Sequence, residues 1–281
     1  MKATAFIRSH VPPPLLRGYR ALRGRETRRD SAGQRLCLTG DYGSWDEACA
    51  DSTGYDTEII LERTKAALLR VKNGQAVYER DSVLFGEIHY AWPLLAGLMW
   101  VAARSGGTLN VLDLGGSLGS TYFQNRVFLG RLREVRWNIV EQSRHVEVGK
   151  SLFEDEQLRF YHSLEDCLAE TQPQAVVLSG VLQFMPDPYR MLRDLLGLNC
   201  GHLLVDRTPF WNGPEDRLCV EHVPEEIYPA SYPSWIFSTE LFRSHIEQNW
   251  VVVADFEGFD KFPGPFPYAF RGMIATRREP T

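Results

Sequence analysis

Cysteine is sparse and unpatterned. Cys37, Cys49, Cys167, Cys200 and Cys219 are odd in number, and no two form a C-x-x-C pair. That argues against a disulfide framework or a zinc cluster and fits a reducing, cytoplasmic setting; no metal site is expected. No apolar run approaches the roughly 18–20 residues that span a bilayer. The opening Met1-Lys-Ala-Thr-Ala-Phe-Ile-Arg8 lacks the apolar stretch of a secretory signal. An overall positive charge is missing too: the net charge of −5 leaves no general footprint for nucleic acid. Internal repeats and low-complexity tracts are absent. What remains is 281 residues, 44% hydrophobic and 24% charged, an ordinary globular composition able to bury a core.

One local imbalance stands out. Between Lys2 and Arg35 there are nine Lys/Arg and two acids, Glu26 and Asp30. Leu15, Leu16, Tyr19 and Leu22 interleave with Arg17, Arg20 and Arg23. Residues 1–39 therefore read as a basic arm. It is either a solvated terminus broken by Pro12-Pro13-Pro14 or a peripheral contact with anionic lipid at the inner face of a membrane.

Residues 40–107 read as a helical cap with no strand of note. Ser44-Trp-Asp-Glu47 has the S-x-x-E form of a capping box. Asp56 opens a stretch to about Lys72 with apolar residues at helical spacing, stopped by Asn73-Gly74. A second apolar helix covers Tyr90 to Arg104. At Thr108 the rhythm changes. Short apolar runs (109–114, 135–140, 158–161, 175–178 and 202–205) alternate with helical spacers, which means βαβ units and a mostly parallel sheet. Residues 108–281 thus form an α/β core. Within it, the Pro- and Trp-rich segment at about 208–236 reads as an irregular lid. A helix N-capped by Ser238 and two late strands, 250–256 and 268–276, close the chain.

The most informative stretch is Val111-Leu-Asp-Leu-Gly-Gly-Ser-Leu-Gly-Ser120. Glycines between a strand and a helix let the backbone approach a ligand and point amides at it. No lysine follows, which excludes a P-loop. G-x-G-x-x-G fits in no register, because Ser117 and Ser120 stand where glycines are needed. Asp113 ends the strand, and a carboxylate there suits a cationic ligand and repels a pyrophosphate. S-adenosylmethionine, with its ammonium and sulfonium, meets that requirement. Glu141, followed by Gln142, ends the next strand where nucleoside-binding folds place a ribose carboxylate. His162 and Gln183 follow the third and fourth strands of the core and are expected to face the adenine and the methionine chain. Ser163 with Asp166 reads equally well as a capping pair.

Asp113-Leu-Gly-Gly-Ser-Leu-Gly119 resembles motif I of class I methyltransferases, D-x-G-x-G-x-G, with Ser117 in place of the middle glycine. The segments Gly54-Tyr-Asp56, Tyr78-Glu-Arg-Asp-Ser82, Leu112 to Leu129, Val181-Leu-Gln-Phe184, Asp206-Arg-Thr-Pro-Phe210 and Tyr228-Pro-Ala-Ser-Tyr-Pro-Ser-Trp235 widen the likeness. They resemble one methyltransferase family associated with bacterial surface-polysaccharide gene sets, over about Gly40 to Arg277. The resemblance implies a Rossmann-like class I methyltransferase sheet of seven strands, mostly parallel with the last antiparallel. It also implies S-adenosylmethionine as cofactor, S-adenosylhomocysteine as product, and a small-molecule or glycan hydroxyl as acceptor.

On that reading Asp113, Gly115, Gly116, Ser117, Gly119, Glu141, Gln142, His162 and Gln183 hold the cofactor. Arg80 clamps the methionine carboxylate or forms a structural salt bridge. A hydroxyl acceptor needs a general base; His89 and Asp206 are the leading pair, with His222 a weaker candidate. Arg207 reads as an acceptor contact or as the partner of Asp206. Tyr228, Tyr232 and Trp235 suit stacking on a sugar ring. A nicotinamide-linked enzyme would need a complete G-x-G-x-x-G, which is not there. A degenerate, non-catalytic methyltransferase fold serving as a partner-binding subunit would carry the same residues.

Overall fold

The strands of the core are nearly continuous apolar runs, and such strands are stable only when both sheet faces are covered. The computed structural model describes residues 36–54, 57–225 and 227–278, and its architecture meets that demand. The N-terminal elements are β1 (Cys37–Tyr42), α1 (Trp45–Ala50), α2 (Thr57–Lys72), β2 (Tyr78–Arg80), β3 (Val83–Phe85) and α3 (Trp92–Arg104). The core continues with β4 (Thr108–Leu114), α4 (Ser120–Leu129), β5 (Glu134–Val140), α5 (Ser143–Leu152), β6 (Leu158–Tyr161), α6 (Leu164–Glu170) and β7 (Ala175–Ser179). A short turn of 3-10 helix, Leu182–Phe184, leads to α7 (Pro188–Gly197) and β8 (His202–Trp211). The chain then runs through β9 (Arg217–Val223), β10 (Ala230–Ser238), α8 (Thr239–Ile246), β11 (Trp250–Glu257) and β12 (Ala269–Arg277).

Strands β6, β5, β4, β7 and β8 are parallel neighbours in that order. β12 lies antiparallel between β8 and β11. This is the order and polarity of the Rossmann-like class I methyltransferase sheet. Strand order reverses between β4 and β7, and ligands of open α/β sheets bind outside the carboxyl ends of the strands at that switch. Asp113 lies there, in register with Ile139 on one side and Val177 on the other.

Alternation along the strands divides the apolar core between the two faces. Leu109, Val111, Trp137, Ile139 and Phe160 pack with Leu68, Leu94, Leu98 and Phe153 from α2, α3 and the end of α5. Leu112, Leu114, Val176 and Leu178 pack with Leu192, Leu195, Phe237 and Phe242 on the opposite face. Caps sit where the sequence places them. Ser44 Oγ accepts from Glu47 N at 3.3 Å, while the Glu47 carboxylate reaches back to Gly43 N at 3.0 Å. Ser163 and Ser238 cap α6 and α8 in the same way.

Two expectations are overturned. Residues 40–107 are not free of strands, since β1 ends there and β2–β3 form a small hairpin. Residues 208–236 are not irregular either: β8 runs on to Trp211, and β9 and β10 pair antiparallel over most of their length. β1 adds to β9, so three extra strands extend the core sheet to ten. Proline density misled the reading. Pro233 is tolerated because the other edge of β10 meets β8 only at Phe237 and Ser238. The basic arm before Leu36, and Tyr55 with Asp56, lie outside the described residues. Among those described, no helix is long and apolar enough to cross a membrane.

The splice of β10 onto β8 rests on aromatic packing. Phe242 is fully buried and meets Phe210 and Phe237 at ring-centroid distances of 5.0 and 5.2 Å. Phe242→Ala is expected to cost about 3–5 kcal/mol of stability in urea unfolding. A cost below about 1 kcal/mol would show that β9–β10 is held independently of this cluster.

Candidate functional site

The turn after β4 is built by glycines where other residues would clash. Gly115 has φ of +68°, and a Cβ there would stand 2.4 Å from Val181 Cγ2. A Cβ on Gly116 would stand 2.5 Å from Asp113 Oδ2. Ser117 also takes a left-handed conformation, at φ +53°. Asp113 is therefore tucked beneath the turn. Its Oδ2 accepts from Trp137 Nε1 at 2.9 Å, and its Oδ1 has no hydrogen-bond partner. Burial pushes its carboxyl up to about 7; the Trp137 bond opposes this and the charge of Glu141 adds to it.

Above the turn lies a cavity of about 870 Å³. Asp113, Gly115, Gly116 and Ser117 form one wall, with Glu141 and Gln142 beyond β5. The half-buried Glu141 carboxylate accepts from Gln142 N at 2.6 Å. His162 lines the same cavity from the end of β6, and Gln183 from the 3-10 turn after β7. Gln183 is 2% exposed; its Nε2 donates to Arg207 O at 3.2 Å, and its Oε1 is unpartnered. Gly119 is not part of the wall. It starts α4 at φ +103°, and its N–H donates to Gly116 O at 3.0 Å.

The opposite end of the cavity is charged. Arg207, at φ +50°, donates through Nη1 and Nη2 to the two oxygens of Asp81 at 3.2 and 2.7 Å. Its Nε donates to Asp260 Oδ2 at 2.8 Å. Burial works against the guanidinium, but Asp260 and Asp81 outweigh it and hold the pKa well above its ordinary value. The expected partnership of Arg207 with the neighbouring Asp206 side chain is thus corrected: the guanidinium is taken up by two acids from distant segments. Asp206 lines the cavity instead. Burial pushes its carboxyl up to about 6, against the charge of Arg207 and a bond from the Arg207 backbone N–H. Arg80 approaches Asp260 at 3.8 Å, its buried Nε has no partner, and it also lines the cavity.

The remaining candidates divide. Tyr228 and Tyr232 line the cavity; Trp235 does not. Trp235 stacks on Trp45 with centroids 6.3 Å apart and donates to Met185 O at 3.0 Å, so its polar handle is spent on packing. His89 lines the cavity, but its Nε2 meets Glu87 at 3.3 Å, and its ring rests against Phe85. His222 is outside the cavity wall, with its Nε2 2.8 Å from Thr39 Oγ1, because alternation along β9 turns it away from its neighbour Glu221.

Sequence reasoning missed Glu221, Asp260 and His145, all of which line the cavity. Alternation along β9 was the available signal for Glu221, and reading 208–236 as irregular hid it. Glu79, also buried, accepts from Ser120 Oγ and from Ser82 N at 3.2 Å. Burial pushes its carboxyl up to about 7, and that of Glu221 up to about 8.

No family model matches the chain, and no curated protein matches it in sequence. Among solved structures it is similar to the N-terminal domain of EvdMO1, crystallised in the presence of SAH and D-fucose. That likeness has 14% identity, 80% of this chain and 98% of that one covered, and a TM-score of 0.48. It is also similar to an S-adenosylmethionine-dependent methyltransferase from Clostridium acetobutylicum, at 7% identity, 68% and 93% coverage, and a TM-score of 0.47. A third is the Burkholderia thailandensis 1,6-didemethyltoxoflavin-N1-methyltransferase, at 13% identity, 90% and 100% coverage, and a TM-score of 0.43.

The raised carboxyls set a pH dependence. Asp113, Glu79, Asp206 and Glu221 hold protons in the folded protein at pH values where the unfolded chain has released them. Stability therefore falls as pH rises from about 4, where unfolded carboxyls titrate, to about 8, where the last folded one does. The Tm of the ligand-free protein is expected to drop between pH 5 and 8, and to drop less in Asp113→Asn. A Tm that rises over that range would contradict the burial of these acids.

Proposed function

We propose that the chain is an S-adenosylmethionine-dependent methyltransferase that O-methylates a saccharide or other small hydroxyl acceptor. The observation that carries this reading is the continuous cavity that runs from the glycine turn and Glu141 to the charged group at Asp206 and Arg207 in the middle of β8. The residues fit the donor's parts. Glu141 is placed to accept from ribose hydroxyls, and Gln142 and His162 border the base. The unpartnered Arg80 Nε suits a carboxylate, and the glycine turn admits close backbone approach. Asp113 supports the turn from below.

When bound, S-adenosylmethionine supplies an electrophilic methyl group on sulfur. The protein's part is to hold the acceptor oxygen in line with that carbon and to remove its proton. Tyr228 and Tyr232 offer aromatic faces to a sugar ring. Asp206 contributes an acceptor atom from the middle of β8. His89 lines the cavity from the cap side. The hydroxyl acceptor also draws support from the resemblance to the family associated with surface-polysaccharide gene sets.

Calorimetric titration with S-adenosylhomocysteine tests the reading. Binding at micromolar concentration is expected, weakened at least about tenfold in Glu141→Ala, which removes a charge-assisted pair of hydrogen bonds worth about 1.5–3 kcal/mol. A folded protein that does not bind S-adenosylhomocysteine would overturn the proposal.

A further inference from the structure

The strand that carries Glu221 is an addition to the sheet. β9 lies outside the seven strands that build the cofactor side, yet it sends one carboxyl into the same cavity. Glu221 is 5% exposed and accepts a hydrogen bond from Tyr232 on the neighbouring strand. Asp81, Asp260 and Arg207 face it from the turn after β2, the loop after β11 and the middle of β8. The two acids pair with Arg207, whose charge acts on Glu221 in the opposite sense to theirs.

A second observation points to a ligand here. The carboxamide of Gln183 is buried on the Arg207 side of the cavity, with its nitrogen tied to Arg207 O and its oxygen unpartnered. A buried acceptor without a donor costs about 1–3 kcal/mol, which a bound hydroxyl would recover. Glu221, Asp206 and the Gln183 oxygen thus offer acceptor atoms to the same cavity. Such acceptors select a molecule that brings donors, and they repel phosphates and carboxylates.

We propose that Glu221 is the general base for the acceptor, and that Asp206 and Gln183 Oε1 receive hydrogen bonds from an acceptor with neighbouring hydroxyls and no anionic group. This rests on the methyltransferase reading. In the step, the acceptor oxygen forms its bond to the methyl carbon as the carbon–sulfur bond breaks and its electron pair stays on sulfur. The Glu221 carboxylate takes the hydroxyl proton and later releases it to solvent. Asp206 is the weaker base of the two, because the Arg207 backbone N–H and the nearby Arg207 and Arg80 charges stabilise its ionised form. Burial raises both carboxyls; at Glu221 Asp81 and Asp260 add to it against Arg207 and the Tyr232 bond, so Glu221 reaches about 8 where Asp206 reaches about 6.

Sinefungin, which carries an amine where the methyl group is transferred, reads this assignment without knowledge of the acceptor. At pH 8 the wild type is expected to bind sinefungin at least about tenfold more tightly than S-adenosylhomocysteine. Glu221→Gln is expected to erase that preference while S-adenosylhomocysteine affinity stays within about twofold; Asp206→Asn is expected to retain it. Glu221→Asp, which withdraws the charge by one methylene, is read alongside and is expected to show a reduced preference. Loss of the preference in Asp206→Asn but in neither Glu221 variant would assign the base to Asp206. No preference in the wild type, with S-adenosylhomocysteine bound, would overturn the proposal alone. Failure of S-adenosylhomocysteine to bind the wild type would remove the methyltransferase reading beneath it.

Discussion

The clamp of Asp81 and Asp260 on Arg207 is the interaction around which the site is organised. It ties the turn after β2, the middle of β8 and the loop after β11 together. Two of the three segments take uncommon conformations there: Asp81, Ser82 and Arg207 all have positive φ without being glycine. Such residues cost of order 1–3 kcal/mol each and persist where surrounding contacts over-determine them. A bidentate, partly buried guanidinium–carboxylate pair with a second carboxylate on Nε is a contact of that kind.

Several features follow from the clamp. Arg207 O is available to hold Gln183, which points the 3-10 turn after β7 into the cavity. The Arg207 backbone N–H meets the Asp206 carboxylate in the middle of β8. The β2–β3 hairpin is held to the core through Asp81, and Arg80 lies near Asp260. Glu79 then bonds Ser120 at the start of α4, which links the cap to the first helix after the turn.

Burial holds several acids of the site protonated at pH values where exposed carboxyls are ionised. Asp113, Glu79, Asp206 and Glu221 all have raised pKa values, with burial the largest cause in each. Asp113, Asp206 and Glu221 line the cavity, and ionised there they would lack water. Holding them near neutrality lets the empty site fold and leaves acceptor atoms ready for a ligand that brings protons or positive charge. The glycine turn and the acid group serve opposite ends of that cavity, and the extra strands β9 and β10 supply much of the second end.

Much of the fold was legible in the sequence, because it depends on near neighbours. The apolar runs of β4 to β7, the capping serines Ser44 and Ser238, and the glycine turn after Asp113 are local patterns of period, cap and φ. Each is decided within a few residues. The partners of Arg207 were not legible, since Asp81 stands 126 positions away and Asp260 stands 53. β9 and β10 were hidden for a related reason: prolines weaken the local strand signal, and only pairing with β1 and β8 makes that segment a sheet. Glu221 became a site residue through that pairing, which turned one face of β9 into the cavity and sent His222 to the other. The chain's sequence determined its α/β core and the glycine turn after Asp113. Only the tertiary structure decided which acids and which arginine meet there, because their positions depend on distant strand pairing and on one buried charge cluster, not on spacing along the chain.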